Sequence, residues 1–352
     1  MAIVDSGPGA VDGGSSADQG PRPASRPHHE PPADGALDLM VAGDVVPDLV
    51  LGDISGEIKF GQADNIAEQG VLTVGGSSSI MACGAAQLGL RVAFVGVVGD
   101  DAAGRFMLEE LSARGVDVSG CVVLPARATA VCVHLLRPGA ERDRAMISWL
   151  GCDGELTAQM VRASLSRPAR HFHVGSFYLL PKLAPDLANL FSDLRQLGCS
   201  TSLDPQGDPR GRWDGGLREV LRQTDFFFPN RNEAIAVAEK VGGQAQLSGE
   251  PLLRSLGALG PVPVVKCASE GAYALDGARV VHVKAPLIKP VDTIGAGDSF
   301  DAGFVYGHLQ GWPVTKSLAF AVACGSLSGR RAGGVLGQAR VEEAMALARD
   351  LG

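Results

Sequence analysis

Residues 157–311 of this chain alternate between runs that favour strands and runs that favour helices. The strand-like runs span residues 171–176, 200–204, 225–229 and 262–267. The helix-like runs between them span residues 185–197, 216–222 and 232–241. Such alternation predicts a parallel sheet with helices on both faces. Because ligands of open α/β sheets bind at the carboxyl ends of the strands, the polar residues there are the first candidates for a site.

The composition narrows the class of protein. Hydrophobic residues make up 45% of the 352 residues and charged residues 20%, and these fractions are typical of soluble, globular proteins. The net charge of -8 gives no electrostatic reason to bind nucleic acid or an anionic membrane. The sequence shows no apolar run near the roughly 18 residues of a membrane helix and no secretory signal. Seven cysteines without a Cys-x-x-Cys pair predict reduced, mostly buried thiols in a cytoplasmic protein.

The first 36 residues differ from the rest of the chain. They are rich in Gly, Pro, Ser, Ala and Asp and contain few large apolar residues. Such a segment cannot bury enough surface to offset its ordering entropy, so it is predicted to be a disordered tail. The apolar run 37–42 then predicts a first buried strand, and residues 37–352 are interpreted as one folded domain.

A glycine turn near the C-terminus carries the strongest chemical signal. Gly295 and Gly297 suit a tight turn, and Asp298, Ser299 and Asp301 stand where a helix should begin. Free N–H groups at a helix N-terminus bind anions, and Asp298 places a carboxylate beside them. An anion hole next to a carboxylate is what phosphoryl transfer to an alcohol requires. A helix cap without chemistry is the alternative interpretation.

The longer stretch around this turn, residues 292–304, reads Asp-Thr-x-Gly-Ala-Gly-Asp-Ser-Phe-x-Ala-Gly-Phe. It closely resembles the C-terminal signature of the ribokinase (PfkB-type) carbohydrate kinase family. The resemblance implies that Asp298 is the catalytic base and that the backbone of Gly295, Ala296 and Gly297 forms the anion hole. It also implies a ribokinase-like α/β fold, in which a mostly parallel sheet flanked by helices carries a small β-sheet lid.

Two further stretches resemble the substrate side of that family. Gly75, Gly76 and the serines from Ser77 to Ser79 open a small-residue helix, as in the family's N-terminal signature, but Ile80 stands where the family has Asn. Asp48 matches an aspartate that holds substrate hydroxyls after the first strand. The resemblance therefore implies a substrate site formed by Asp48, Gly75, Gly76, Ser77 and Ser79. From the residues alone, these stretches are a helix N-cap and a surface loop.

The nucleotide side of the site is implied by two later motifs. Asn230 and Glu233 fit the family's Asn-x-x-Glu motif, which implies that Glu233 contacts Mg²⁺ through water. A simple helix cap at Asn232 is the alternative. Lys266, Ser269 and Gly271 match the family's nucleotide-contacting segment, together with Asn230. Ala268 replaces a glycine of that segment.

The lid is predicted from two β-rich runs, 131–137 and 145–150, around a polar turn at 138–144. In the family, such strands join earlier ones in a sheet that covers the sugar. The lid is therefore expected from about 44–75 and 130–150. Leu135, Met146, Ile147 and Trp149 would leave a large apolar area in water, so we expect the lids of two chains to pair in a homodimer.

The sequence thus predicts an ATP-dependent kinase that phosphorylates a hydroxymethyl group of a small sugar, with ATP and Mg²⁺ as cofactors. The resemblance leaves a monovalent cation open. Two alternatives remain: a nucleoside kinase of the same fold, favoured by Ile80, and a catalytically silent sugar-binding regulator. No P-loop, dinucleotide fingerprint or His-Glu-x-x-His zinc motif is present. Asp204-Pro205-Gln206, followed by Trp213, loosely resembles fructokinase-like and ketodeoxygluconate-kinase-like members.

Overall fold

The computed structural model of the chain describes residues 36–54, 56–137 and 144–351. Its strands are β1 Leu37–Ala42, β2 Val46–Gly52, β3 Gln69–Gly75, β4 Val92–Val95, β5 Val97–Gly99, β6 Val116–Asp117, β7 Val122–Leu124, β8 Val131–Leu136, β9 Arg144–Trp149, β10 Ala169–Val174, β11 Ser200–Leu203, β12 Phe226–Phe227, β13 Val262–Lys266, β14 Ala272–Asp276 and β15 Arg279–Val283. Its helices are α1 Ser77–Gln87, α2 Ala102–Ala113, α3 Ala158–Ser164, α4 Ala184–Gln196, α5 Leu217–Leu221, α6 Arg231–Lys240, α7 Gly249–Gly257, α8 Ala296–Leu309, α9 Val314–Ser328 and α10 Val341–Arg349.

The predicted parallel sheet is confirmed. Within the described ranges it has nine strands in the order β15-β14-β13-β12-β11-β10-β1-β4-β6. Pairing is parallel from β13 to β6, and β14 and β15 add an antiparallel edge. The carboxyl ends of β1, β10, β11, β12 and β13 therefore meet at one edge, where α8 also begins.

Both faces of this sheet are covered by helices, because alternate residues of the central strands are apolar on both sides. Leu39 and Val41 of β1 belong to one buried cluster, which includes residues of α1, α8 and α9. Met40 and Ala42 belong to the other, which includes residues of α3 to α7. The two clusters hold the strands rigidly and leave the loops at the carboxyl edge to form a site.

The predicted lid is a separate sheet with the strand order β3-β2-β8-β9. The hairpin β8–β9 is confirmed, whereas residues 138–143 of its predicted turn lie outside the described residues. Val50 and Leu136 on the inner face of the lid pack against Ile294, next to the glycine turn. The lid therefore contacts the loop that leads into α8.

The outer face of the lid is apolar and partly exposed. Leu72, Ile147 and Trp149 are each more than half exposed on it. Our inclusion of Met146 in that face was wrong, because strand side chains alternate and Met146 pairs with His134 on the inner face. The apolar outer face is otherwise as the sequence predicted.

Three further expectations can be compared with the structure. The predicted tail, residues 1–36, lies outside the described residues except for Ala36. All seven cysteines are free, and all but Cys121 are buried. None of the helices in the described ranges is long and apolar enough to cross a membrane.

Candidate active site

The glycine turn and the first turn of α8 form the centre of the site. Gly295 is the N-cap, with a left-handed φ of 70°, and a Cβ there would lie 2.7 Å from the Cα of Gly334 and 2.9 Å from Cγ2 of Ile80. Only glycine fits this position. The turn directs the free N–H groups of α8 and the side chain of Asp298 to the same edge of the sheet. The hydroxyl of Ser77, at the start of α1, donates to Oδ1 of Asp298 at 2.6 Å.

Asp298 is a buried carboxyl with a strongly shifted pKa. Burial, and then the negative charge of Asp204, raise the pKa of Asp298 to about 7, against the opposing effect of Lys266. A carboxylate that gains its proton near neutral pH is well matched to general-base chemistry.

Lys266 lies behind the glycine turn in an ion-pair network. Its Nζ is 2.7 Å from Oδ2 of Asp204 at the end of β11 and 3.1 Å from Oδ2 of Asp301 in α8. A Cβ added to Gly297 would be 3.4 Å from the same Nζ, so the ammonium lies next to the glycine turn. The sequence interpretation assigned Lys266 to nucleotide contact, and this stays a prediction; in the structure its ammonium pairs with Asp204 and Asp301.

Asn230 and Glu233 form a reciprocal cap at the start of α6. Glu233 N–H donates to Oδ1 of Asn230 at 3.0 Å, and Asn230 N–H donates to Oε2 of Glu233 at 2.8 Å. The cap residue is therefore Asn230, and the alternative at Asn232 was wrong. Burial and then the charge of Asp204 raise the pKa of Glu233 to about 7.

The carboxylates at this edge fit a divalent cation. Oxygen atoms of Asp204, Asp298 and Asp301 lie within 4.8 Å of one another, and all three residues are buried. After burial, the charge of Asp204 is the next cause of the raised pKa values of Asp298 and Glu233, and Lys266 supplies a single ammonium to the cluster. A hard cation with oxygen ligands would relieve that repulsion.

The small-residue helix α1 is held by Asp44, which our sequence interpretation did not select. Its carboxylate accepts from Ser77 N–H and Ser78 N–H, each at 2.9 Å, and its carbonyl accepts from Ser79 Oγ at 2.8 Å. Ser79 is fully buried and its hydroxyl is already paired, so its role in this structure is to fix the start of α1. The hydroxyl of Ser77 contacts Asp298 instead.

Two glycines make room for carboxylates at this end of the lid. A Cβ on Gly75 would be 2.0 Å from the carboxyl carbon of Asp48, and one on Gly76 would be 3.0 Å from Oδ2 of Asp44. These close approaches explain why glycine occupies both positions. Asp153, a buried residue that sequence reasoning missed, accepts from Val45 N–H at 3.2 Å in the same region.

Asp48 lies on the inner face of the lid and is paired with His134. Its Oδ2 is 3.1 Å from Nε2 of His134, and both side chains are buried. Burial lowers the pKa of His134, but the hydrogen bond and charge of Asp48 outweigh it and raise the pKa to about 9. His134 is thus protonated at neutral pH. Nothing in the sequence alone singled it out, because the pairing depends on the register between β2 and β8.

The segment after β13 lies farther along the same edge. Ser269 is exposed on a short turn between Ala268 and Glu270. Ala268 has a left-handed φ of 49°, which explains a glycine preference at that position. Gly271 has a φ of 92°, and a Cβ there would be 1.9 Å from the carbonyl oxygen of Val283, so this glycine has a backbone role.

The structure thus brings most of the predicted residues to one edge. It adds residues that the sequence interpretation did not select as part of the site: Asp44, His134, Asp153, Asp204 and Asp301. Asp204 and Asp301 had a usable signal, since one ends a strand-like run and the other follows the glycine turn.

Comparisons with known proteins agree with this geometry. The sequence profile of the pfkB family of carbohydrate kinases matches residues 37–338. An ATP-dependent ribose-1-phosphate kinase of Halopiger xanaduensis is 30% identical over 269 residues, covering 74% of this chain and 81% of that protein. A 2-dehydro-3-deoxygluconokinase of Bacillus subtilis is 28% identical over 273 residues, covering 72% and 79%.

Solved structures show the same fold. A provisionally named ribokinase II of E. coli, in complex with ATP and Mg²⁺, superimposes with a TM-score of 0.77 at 23% identity. The match covers 89% of this chain and 99% of that one. The ribokinase-like fold predicted from the sequence is therefore confirmed.

Proposed function

We propose that this chain, which belongs to the pfkB family of carbohydrate kinases and is a phosphotransferase acting on an alcohol group, transfers the γ-phosphoryl group of ATP to a hydroxymethyl group of a small carbohydrate. The observation that carries this proposal is the position of Asp298. Its carboxylate lies at the N-terminal end of α8, beside the glycine turn and beneath the lid.

Asp48 anchors the carbohydrate in this proposal. A carboxylate can accept hydrogen bonds from two hydroxyl groups. Burial raises the pKa of Asp48, and the hydrogen bond and charge of His134 oppose that rise. Gly75 and Gly76 leave the backbone open next to it. The substrate then lies between the inner face of the lid and the carboxyl edge of the large sheet.

Asp298 accepts the proton of the attacking hydroxymethyl group, whose oxygen forms a bond to the γ-phosphorus while the bond to the β-phosphate oxygen breaks and ADP leaves. N–H groups of Gly295, Ala296 and Gly297 stabilise the charge on the transferring group. Lys266 adds an ammonium beneath that turn without leaving its carboxylate partners.

Mg²⁺ fits the carboxylates at this edge, and when bound it neutralises charge on the ATP phosphates. We assign Glu233 to contact it through water, because both oxygens of its carboxylate already accept from Asn230, at 2.5 and 2.8 Å. A structural neighbour from E. coli was solved with ATP and Mg²⁺, which supports these two cofactors. Asn230, Ser269 and Gly271 are proposed to line the nucleotide side.

The proposal is tested by incubating the purified chain with ATP, Mg²⁺ and a panel of sugars, sugar acids, sugar phosphates and nucleosides. ADP release is measured with and without K⁺, which also tests for a monovalent cation. We expect turnover with a carbohydrate. Turnover with nucleosides alone would support the nucleoside-kinase alternative, and binding of a sugar without ADP release would support the silent regulator.

The outer face of the lid is proposed to pair two chains. Leu72, Ile147 and Trp149 expose apolar area there, and a four-stranded sheet cannot bury both faces over one substrate. A two-fold axis through this face would cover the apolar area with the same residues of a second chain.

A further inference from the structure

We propose that Asp48, Cys132 and His134 on the inner face of the lid form a Zn²⁺ site, and that Zn²⁺ bound there competes with the carbohydrate. The strand register places the three residues together. Asp48 in β2 pairs directly with Cys132 in β8, and His134 follows two residues later, on the same face.

The three potential ligand atoms lie within 4.8 Å of one another, and all three residues are buried. Nε2 of His134 is 3.1 Å from Oδ2 of Asp48 and 3.5 Å from Sγ of Cys132. Tetrahedral zinc, with bonds of about 2.0–2.1 Å to nitrogen, 2.0–2.2 Å to oxygen and 2.3 Å to sulfur, separates such atoms by about 3.3 and 3.6 Å. The observed edges are therefore close to those of a zinc tetrahedron before any metal enters.

Hydrogen bonds cannot join all three of these side chains at once. The single N–H on Nε2 can point well at either the carboxylate or the sulfur, whereas a cation inside the triangle contacts all three atoms. The hydroxyl of Ser148 also donates to the Cys132 sulfur, at 3.3 Å. A thiolate, an imidazole and a carboxylate are a donor set that selects Zn²⁺ over Mg²⁺.

The fourth position of the tetrahedron would take a water or a substrate oxygen, as in zinc sites with three protein ligands. Binding releases the thiol proton of Cys132 and the Nε2 proton of His134 to solvent. It also uses the carboxylate of Asp48, which is the proposed anchor of the carbohydrate. The competition between Zn²⁺ and the carbohydrate rests on the proposed function, whereas zinc binding itself does not.

Binding is tested on the full chain, after removal of any affinity tag, with Co²⁺ and Zn²⁺ alone. Co²⁺ should produce thiolate-to-cobalt charge-transfer absorption, which Zn²⁺ abolishes. A chromogenic chelator should report one tight Zn²⁺ per chain. Cys132→Ser and His134→Gln should each weaken Zn²⁺ binding at least tenfold. Cys121→Ser should bind as the wild type does, because the Cys121 sulfur lies outside the cluster, 3.6 Å from the carbonyl oxygen of Phe94. Absence of the cobalt signal, or its persistence in Cys132→Ser, would overturn the zinc site.

Inhibition is measured separately with the substrate found in the panel. We expect Zn²⁺ to raise KM for the carbohydrate and to leave KM for ATP unchanged. Zinc binding without this competition would overturn the proposed role of Asp48 and leave the metal site intact. Sugar turnover without zinc binding would overturn the metal site and leave the kinase assignment intact.

Discussion

The acidic residues of the site are the clearest case of chemistry that the fold imposes on single side chains. Asp298, Glu233, Asp204 and Asp301 come from three different elements, and burial at one edge of the sheet makes their charges interact. Lys266 offsets part of that repulsion. The protonation state of Asp298 therefore depends on neighbours that are distant in sequence.

Replacing Asp298 with Asn should abolish most turnover and stabilise the protein. Loss of a general base typically lowers the rate by about 10²–10⁴. The folded chain keeps a proton on Asp298 up to about pH 7, whereas the unfolded chain loses it near pH 3.8, so this group lowers stability progressively as pH rises between those values. The Asn variant should therefore melt at a higher temperature than the wild type at pH 8, with little difference at pH 4.

Calorimetry at both pH values and single-turnover kinetics check this prediction. Turnover within about tenfold of the wild type would contradict the assignment of the base. A lower melting temperature of the Asn variant at pH 8 would contradict the argument that ionised Asp298 destabilises the folded chain.

The acid side of the pH profile should move when Lys266 is replaced by Met. For the wild type, kcat/KM should fall below about pH 7, because protonated Asp298 cannot accept a proton. Lys266 lowers the pKa of Asp298, so without it the fall should begin at a higher pH, by about one unit. Lys240→Met, on the exposed end of α6, is the control. An unmoved profile in a folded Lys266 variant would show that Lys266 acts on structure alone.

At the level of elements, the sequence predicted what depends on local pattern. The strands β1 and β10 to β13, the helices α4 to α6, the lid hairpin and the start of α8 follow from apolar periodicity and turn residues. The helix α7 was missed because Gly249 and Pro251 stand in its first turn, where they resemble a loop. Two ion pairs could not be predicted, since strand register and helix packing bring their residues together: Asp48 with His134, and Lys266 with Asp301.

The glycine turn before α8 should not tolerate a side chain. Gly295→Ala adds a Cβ within 2.9 Å of Gly334 and Ile80 and also strains a left-handed φ. We expect a loss of stability of several kcal/mol and a fall in kcat of about 10² or more.

Gly198→Ala is the matched control for this variant. Gly198 has a φ of 86°, but a Cβ there meets nothing within 4 Å. It should lose about 1 kcal/mol from backbone strain and keep its activity. Chemical denaturation and steady-state kinetics compare the two; equal effects of both substitutions would contradict the steric argument.

The whole molecule consists of a rigid two-faced sheet and a lid that contacts it through Val50, Leu136 and Ile294. This arrangement couples lid position to the loop that leads into α8. It also leaves one apolar face of the lid exposed in a single chain. Association at that face would hold the lid over the substrate and exclude water from the transferring group.

Ile147→Glu should therefore convert a dimer into a monomer. Ile147 is 62% exposed on the outer face, so a charge is tolerated in the single chain but is costly when a second lid covers it. Light scattering at micromolar concentration measures the mass. Exposed Leu197→Glu, at the end of α4, is the control and should not change the mass. A wild-type mass of one chain would contradict the lid-paired dimer.

Deleting residues 2–35 should change neither the melting temperature nor the activity. The composition of this segment cannot supply a packed surface. Thermal denaturation and ADP release compare the truncated and full chains, and a drop of several degrees would contradict the prediction.

The contact between Ile80 and the glycine turn also limits how this lineage can change its substrate. A Cβ on Gly334 would lie 2.5 Å from Cδ1 of Ile80, and Gly295 is similarly close to the same side chain. A single exchange that restores Asn at position 80 would place an amide in the apolar space beneath the catalytic turn. Under the proposed function, a change of substrate through position 80 must then be accompanied by substitutions near residues 295 and 334, so these three positions can change only together.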